Sequence, residues 1–229
     1  MPPIDKRIRN VNALNSVRAG GIAGIVFVVG LVVVGFLAPP PPEANDPAAK
    51  YLDYLLDNRS LLMVQASLSI ILAAPLLLFA PSLWSTLASK VQENRTLATA
   101  AAAGLLLGWA SGSLLALLFG GLAYLSETTL DANSARNLMV LVNVGYGSAV
   151  FFWGMAALAS GLVLTSETGW ERWLGWSGVL VALISTAAQF TWADSGAFAP
   201  GFALFVGYLL SMVYFLALSV VLVRAPRTA

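Results

Sequence analysis

The sequence predicts an all-α protein: a polytopic transmembrane bundle of six helices with a short amphipathic extracytoplasmic helix between spans one and two. Three observations predict it. Of 229 residues, 59% are hydrophobic and only 10% charged, where a soluble domain carries about 25% charged residues. Six runs, at about 20–38, 60–80, 97–124, 138–165, 174–192 and 201–223, contain no charged residue, and about 20 apolar residues suffice for a helix to cross a bilayer. The third run carries Gly104, Gly108, Gly112, Ala116 and Gly120 at every fourth position. On a helix these form one stripe almost without side chains, against which another helix can pack backbone to backbone.

The elements follow in order. Residues 1–18 are polar and basic, with Lys6, Arg7, Arg9 and Arg18. A basic stretch before an apolar one is also how a signal peptide reads. Its core normally runs about 7–15 residues, and this one is longer, so it is taken as span one. Pro39–Pro42 end it, because prolines cannot continue a helix. In 43–59, Asp46-Pro47 reads as an N-cap with proline in the first turn. Tyr51, Leu52, Tyr54, Leu55 and Leu56 then interleave with Lys50, Asp53 and Asp57, a pattern that suits an interfacial helix and equally a helix covering the mouth of the bundle.

Span two contains Pro75, expected to kink it, with Pro81 just beyond its end. Span three is the glycine-striped helix, read as the centre of the bundle. Span four has a seam of Gly147, Gly154 and Gly161 at heptad spacing, with Ala157 between, which suits close packing against a neighbour. Span six starts at Pro200-Gly201 and repeats a small-residue pattern at Ala203, Gly207 and Ser211. All six spans form one domain, 1–229.

Six spans place both termini on one side. The segments on that side carry nine of the twelve lysines and arginines, against Lys50, Arg59 and Arg136 opposite. The positive-inside rule then makes the termini cytoplasmic. Trp84, Trp170, Trp173 and Trp176 fall at cytoplasmic helix ends and Tyr124 and Trp192 at outer ones, as interfacial anchors do.

The chemistry is bounded by what the chain lacks. Without Cys or His there is no disulfide, Fe–S cluster, zinc–thiolate or histidine-ligated metal, and the commonest general base is missing. No metal ligand set and no cofactor is expected. No ionisable residue sits deep in a span, unlike ion pumps and proton relays. No basic stripe suggests nucleic acid. A catalytic centre is not expected.

Uncharged polar residues remain. Gln65, Asn143, Tyr146 and Gln189 all fall in the outer half of the bilayer by this topology, with Trp192 and Asp194 above them. Gathered inward, they would line a polar cavity open to the outside; taken singly, each is interhelical hydrogen-bond glue. Trp109, beside the glycine stripe, needs a partner for its indole N–H, with Asn143 or a serine as candidates. The cavity candidates are thus Gln65, Trp109, Asn143, Tyr146, Gln189 and Asp194. The packing candidates are Gly104, Gly108, Gly112, Gly120, Gly147 and Gly154.

Three short patterns carry a resemblance: Arg18-Ala19-Gly20 opening span one, Tyr51-Leu52-x-x-Leu55-Leu56-x-Asn58 before span two, and Ser166-x-x-Gly169-x-x-Arg172-x-Leu174-Gly175 between spans four and five. Together they resemble a family of six-span bacterial membrane proteins catalogued as a domain of unknown function, over roughly 16–195. That family usually has proline where Glu171 stands. The resemblance implies a six-span architecture and a bacterial inner membrane, and brings no catalytic residue. The expected role is non-enzymatic binding of a lipid, a small hydrophobic molecule or a partner membrane protein, with homo-oligomerisation open. The alternative is a transporter or channel for a small neutral or amphipathic solute.

Overall fold

The computed structural model describes residues 4–43, 45–91, 95–190 and 200–224, with side chains from 16 onward and, in the last segment, from 203. It is an all-helical bundle: α1 (Ile4–Gly35), α2 (Ala48–Asp57), α3 (Arg59–Ile71), α4 (Ala73–Lys90), α5 (Thr96–Leu125), α6 (Ala132–Thr165), α7 (Gly169–Ala187) and α8 (Pro200–Arg224), with a 3₁₀ turn at Ala188–Phe190. Six helical stretches are long and apolar enough to cross a membrane, α3 and α4 together making one. The chain is therefore a multi-pass membrane protein by length and composition. Trp192 and Asp194 lie outside the described residues.

Span two differs from its expected course, and prolines explain how. It runs on to Lys90 and contains Pro81 instead of ending before it. The break falls at Leu72, where the helix stops and restarts three residues before Pro75. Pro75 thus sits in the first turn of α4, where the missing N–H costs no helical bond. Leu72 seats against span one at Gly30, whose missing side chain leaves it room. Across the break, the Ser69 carbonyl accepts from Trp109 Nε1 (3.0 Å) and Ser113 Oγ (3.3 Å). Such side-chain bonds are how a broken helix satisfies its backbone inside a membrane.

The centre of the bundle is α6, not the glycine-striped α5. Of the apolar stretch of α6, 67% is buried, against 33% of that of α5. The difference lies in the small residues. On α5 they occupy one face, and Leu107, Leu114, Leu117 and Leu118 stay exposed on the other. On α6 they run round the helix, so α5, α7 and α8 all pack against it. A Cβ on Gly104 would lie 2.9 Å from the Phe152 carbonyl oxygen, and Gly108 lies under the Trp153 ring. Gly112 has ordinary room, 3.6 Å to Ala149 Cβ, and Gly120 turns to Ala66 of α3. The heptad glycines all face α7: Gly147 lies under Gln189, Gly154 against Ser185, and Gly161 against the Gly175 carbonyl. Gly169 opens α7 with φ +61°, a left-handed conformation that explains a glycine at that point of the turn.

The two ends of the bundle close differently. Towards the end that carries the termini, α4 approaches α1, α5, α6 and α8, and Phe27, Leu76, Phe79, Trp153, Met212 and Phe215 form one buried core. Lys90 bonds Glu171 (2.6 Å) and Glu167 (3.2 Å), tying α4 to the α6–α7 turn. Towards the opposite end, α3 meets α5, α1, α2 and α4, but among the described residues it approaches neither α6 nor α8. The core there splits into a cluster under α2, around Tyr51, Leu55, Phe119 and Met139, and a smaller one around Val150 and Leu204. At this end α2 lies over α5 and α6 with Tyr51 and Leu55 fully buried, so it covers the mouth. Pro47, not Asp46, occupies its N-cap position; the Asp46 carboxylate instead accepts from Glu43 N and Lys50 Nζ, both at 2.8 Å.

Candidate functional site

Polar side chains at membrane depth go first to helix backbones, because an unpaired carbonyl or amide in hydrocarbon is costly. Gln65 donates from Nε2 to the Val34 carbonyl of α1 at 2.9 Å. Tyr208 donates to the Leu31 carbonyl, one turn earlier on the same helix, at 2.9 Å. Gln189 donates to the Ser185 carbonyl at 3.1 Å, and its carboxamide oxygen lies over Gly147. Trp109 finds its partner in a serine, through the Ser69 backbone carbonyl, and not in Asn143. Ser160 and Tyr214 pair at 2.9 Å between α6 and α8. Each of these bonds joins or stiffens helices.

Asn143 and Tyr146 are different. They are one turn apart on α6, hence on neighbouring faces. Both are half-buried, and neither side chain makes a hydrogen bond to a described residue. Tyr146 packs its ring on the cluster under α2, as Tyr54 does. Leu115 of α5 flanks this stretch at Gly145. Tyr146 therefore sits beneath α2, on a helix that α3 does not approach among the described residues. Gln65, on α3, turns to α1, and Trp109 to the break in span two.

The sequence did not flag Tyr54 and Tyr208. Tyr54 holds the roof: its hydroxyl donates to the Pro39 carbonyl at 2.8 Å, and burial pushes its phenol up to about 12, which keeps it a neutral donor. Deeper in the bundle, Trp153 Nε1 and Ser185 Oγ are buried without a partner among the described residues; they lie in the tight contacts at Gly108 and Gly154.

Electrostatically the region is neutral. The cations at the α2 end are engaged on its rim. Arg59 meets Glu127 at 3.3 Å and lies over the Tyr124 ring, 5.6 Å from its centroid, and Arg136 bonds the Tyr51 hydroxyl. What remains is a carboxamide and a phenol, each able to donate and accept, beside apolar walls. That arrangement suits hydrogen bonding to an uncharged polar group that carries hydrocarbon. Comparison with protein-family models, curated proteins and solved structures found no match to this chain. The likeness in short motifs stands on those residues alone.

Proposed function

We propose that this protein is a non-enzymatic binding protein of the bacterial inner membrane, holding a lipid or small hydrophobic molecule between α3 and α6. The observation that carries the reading is the pair Asn143 and Tyr146. Gln65, Gln189 and Tyr208 each have a backbone partner, and these two have none among the described residues. In hydrocarbon such groups favour any ligand that supplies one. The nine-to-three split of basic residues supports cytoplasmic termini, with α2 outside. The buried core from Phe27 to Phe215 blocks passage towards the termini, which supports binding over an open channel.

The test is a density map of protein taken from its native membrane. An elongated, non-protein density reaching Asn143 and Tyr146 is expected; apolar side chains filling that space would refute the reading. One observation favours the second reading, a transporter for a small neutral or amphipathic solute: span two is broken, as helices beside transporter sites often are. Solute flux into proteoliposomes, with an unliganded site in the map, would select it.

A further inference from the structure

We infer that α3 is a side gate to this site, that Gln65 is its latch, and that the ligand is a neutral amphiphile arriving from the bilayer leaflet on the α2 side. The inference rests on the binding reading above and adds the route and the ligand class.

The route follows from comparing the seams. From water, a ligand must pass α2, and α2 is the firmer barrier. Tyr51 and Leu55 are fully buried beneath it. Tyr51 donates to the Glu43 carbonyl at 2.6 Å and Tyr54 to that of Pro39 at 2.8 Å, so the roof is tied to the segment before it. On the far side of the mouth, the Phe36 and Phe205 rings meet edge to face at 5.8 Å.

From the bilayer, the seam between α1 and α3 is short. Among the described residues, the side-chain hydrogen bond that spans it is Gln65 to Val34. Val33, Leu61 and Val64 beside it are exposed, and so face lipid in a membrane. Breaking the latch strands no backbone group, because the Val34 carbonyl also accepts from Leu37 N at 3.3 Å.

The geometry of α3 suits movement. It has 13 residues and a break at each end, Asn58 (φ −108°, ψ 13°) and Leu72. It stays on α5, where Ala66 meets Gly120 and the Ser69 carbonyl accepts from Trp109 and Ser113, so the motion is a swing of its α1 side about that contact. Below the break, α4 is held by the core and by Lys90, so bending at Leu72 moves α3 without moving α4. The ligand class follows from charge. Asn143 and Tyr146 are neutral, and Arg59 and Arg136 are engaged with Glu127 and Tyr51. At the α2 end an anionic head group would find Lys50, Arg59 and Arg136 already engaged, and a buried unpaired charge is strongly disfavoured.

The experiment uses the full chain in nanodiscs with two photoreactive probes: a diacylglycerol with a diazirine near its glycerol, and a water-soluble diazirine alcohol. Adducts are mapped to the inward face of α6 (Val142, Tyr146, Ala149) and, as a reference, to lipid-facing Leu141. The diacylglycerol probe is expected to label the inward face. Gln65→Leu is expected to speed that labelling roughly threefold, the scale of one hydrogen bond between membrane helices, while Leu141 labelling stays constant. Gln65→Asn, too short to reach Val34, should behave alike and guards against a folding defect in the first variant. Unchanged rates in both variants, or earlier inward labelling by the aqueous probe, would overturn the gate and leave the binding reading standing. Labelling of the inward face by neither probe would overturn both.

Discussion

At the residue scale, the glycines separate into those that cannot accept a methyl group and those that can. Gly104 meets the α6 backbone, where nothing flexible can give way. Gly104→Ala should therefore destabilise the protein by about 1–3 kcal/mol, the usual cost of overpacking. Gly112 has 3.6 Å to its nearest neighbour, so Gly112→Ala should be neutral or stabilising by up to about 1 kcal/mol through helix propensity. Thermal unfolding in detergent compares the two, and an equal loss in both would contradict this packing. The sequence stripe shows these positions as equivalent because spacing reports which face a residue is on, not what stands opposite. Asp131 gives a pH prediction. It caps α6 by accepting from Ser134 Oγ and Ser134 N, bonds that hold its carboxyl below the ordinary 3.8. A depressed folded value means the contribution is present above the unfolded value and lost as pH falls through the folded one. Amide exchange in the first turn of α6 should therefore rise in acid beyond that of Asp131→Asn at the same pH, since asparagine caps without titrating. Equal exchange in the two proteins at pH 3 and pH 6 would refute it.

At the element scale, span two is two helices with separate allegiances. Its lower half ends in Lys90, whose ammonium holds Glu167 and Glu171 from the next turn but one. Lys90→Met leaves two carboxylates facing each other. It should cost on the order of 1 kcal/mol, an effect that shrinks in high salt. A loss independent of salt would mean that packing, not charge, binds α4 there. The six spans and the short helix between the first two were legible in the chain, because charge-free runs and prolines are local signals. Pro200 at the start of α8 belongs to the same class. The break at Leu72 was not legible to the residue. Pro75 announces a disruption, but the place where the helix yields depends on Gly30 making room for Leu72 and on Trp109 and Ser113 reaching the Ser69 carbonyl. Those partners lie about 40 residues away, beyond the reach of any pattern within the span. For the same reason α5, with its conspicuous stripe, was read as central when α6 is. The heptad glycines of α6 mark only its face towards α7, whereas its other small residues, spread around the helix, form no stripe.

At the scale of the whole molecule, the bundle is closed and apolar towards the termini and divided towards α2. The composition foretold a neutral membrane interior, and the structure adds where its polar groups are spent. Gln65, Trp109 and Gln189 serve the backbone, a use that sequence depth alone could not distinguish from lining a cavity. Asn143 and Tyr146 stand apart only once the partners of the others are known. The direction of the bundle is open to a direct check because the chain has no native cysteine. A single cysteine at Asn45 should react with a membrane-impermeant maleimide added outside intact cells, and labelling only after lysis would reverse the topology. The central claim is that Asn143 and Tyr146 hold a ligand and are not merely part of the frame. Native mass spectrometry of the protein released from its own membrane, compared with an Asn143→Leu, Tyr146→Phe variant, tests it most directly. A retained amphiphile on the wild type, lost from the variant while its melting temperature stays unchanged, is the predicted result. The same adduct on both proteins, or a variant that melts early beside a wild type that carries nothing, would contradict it.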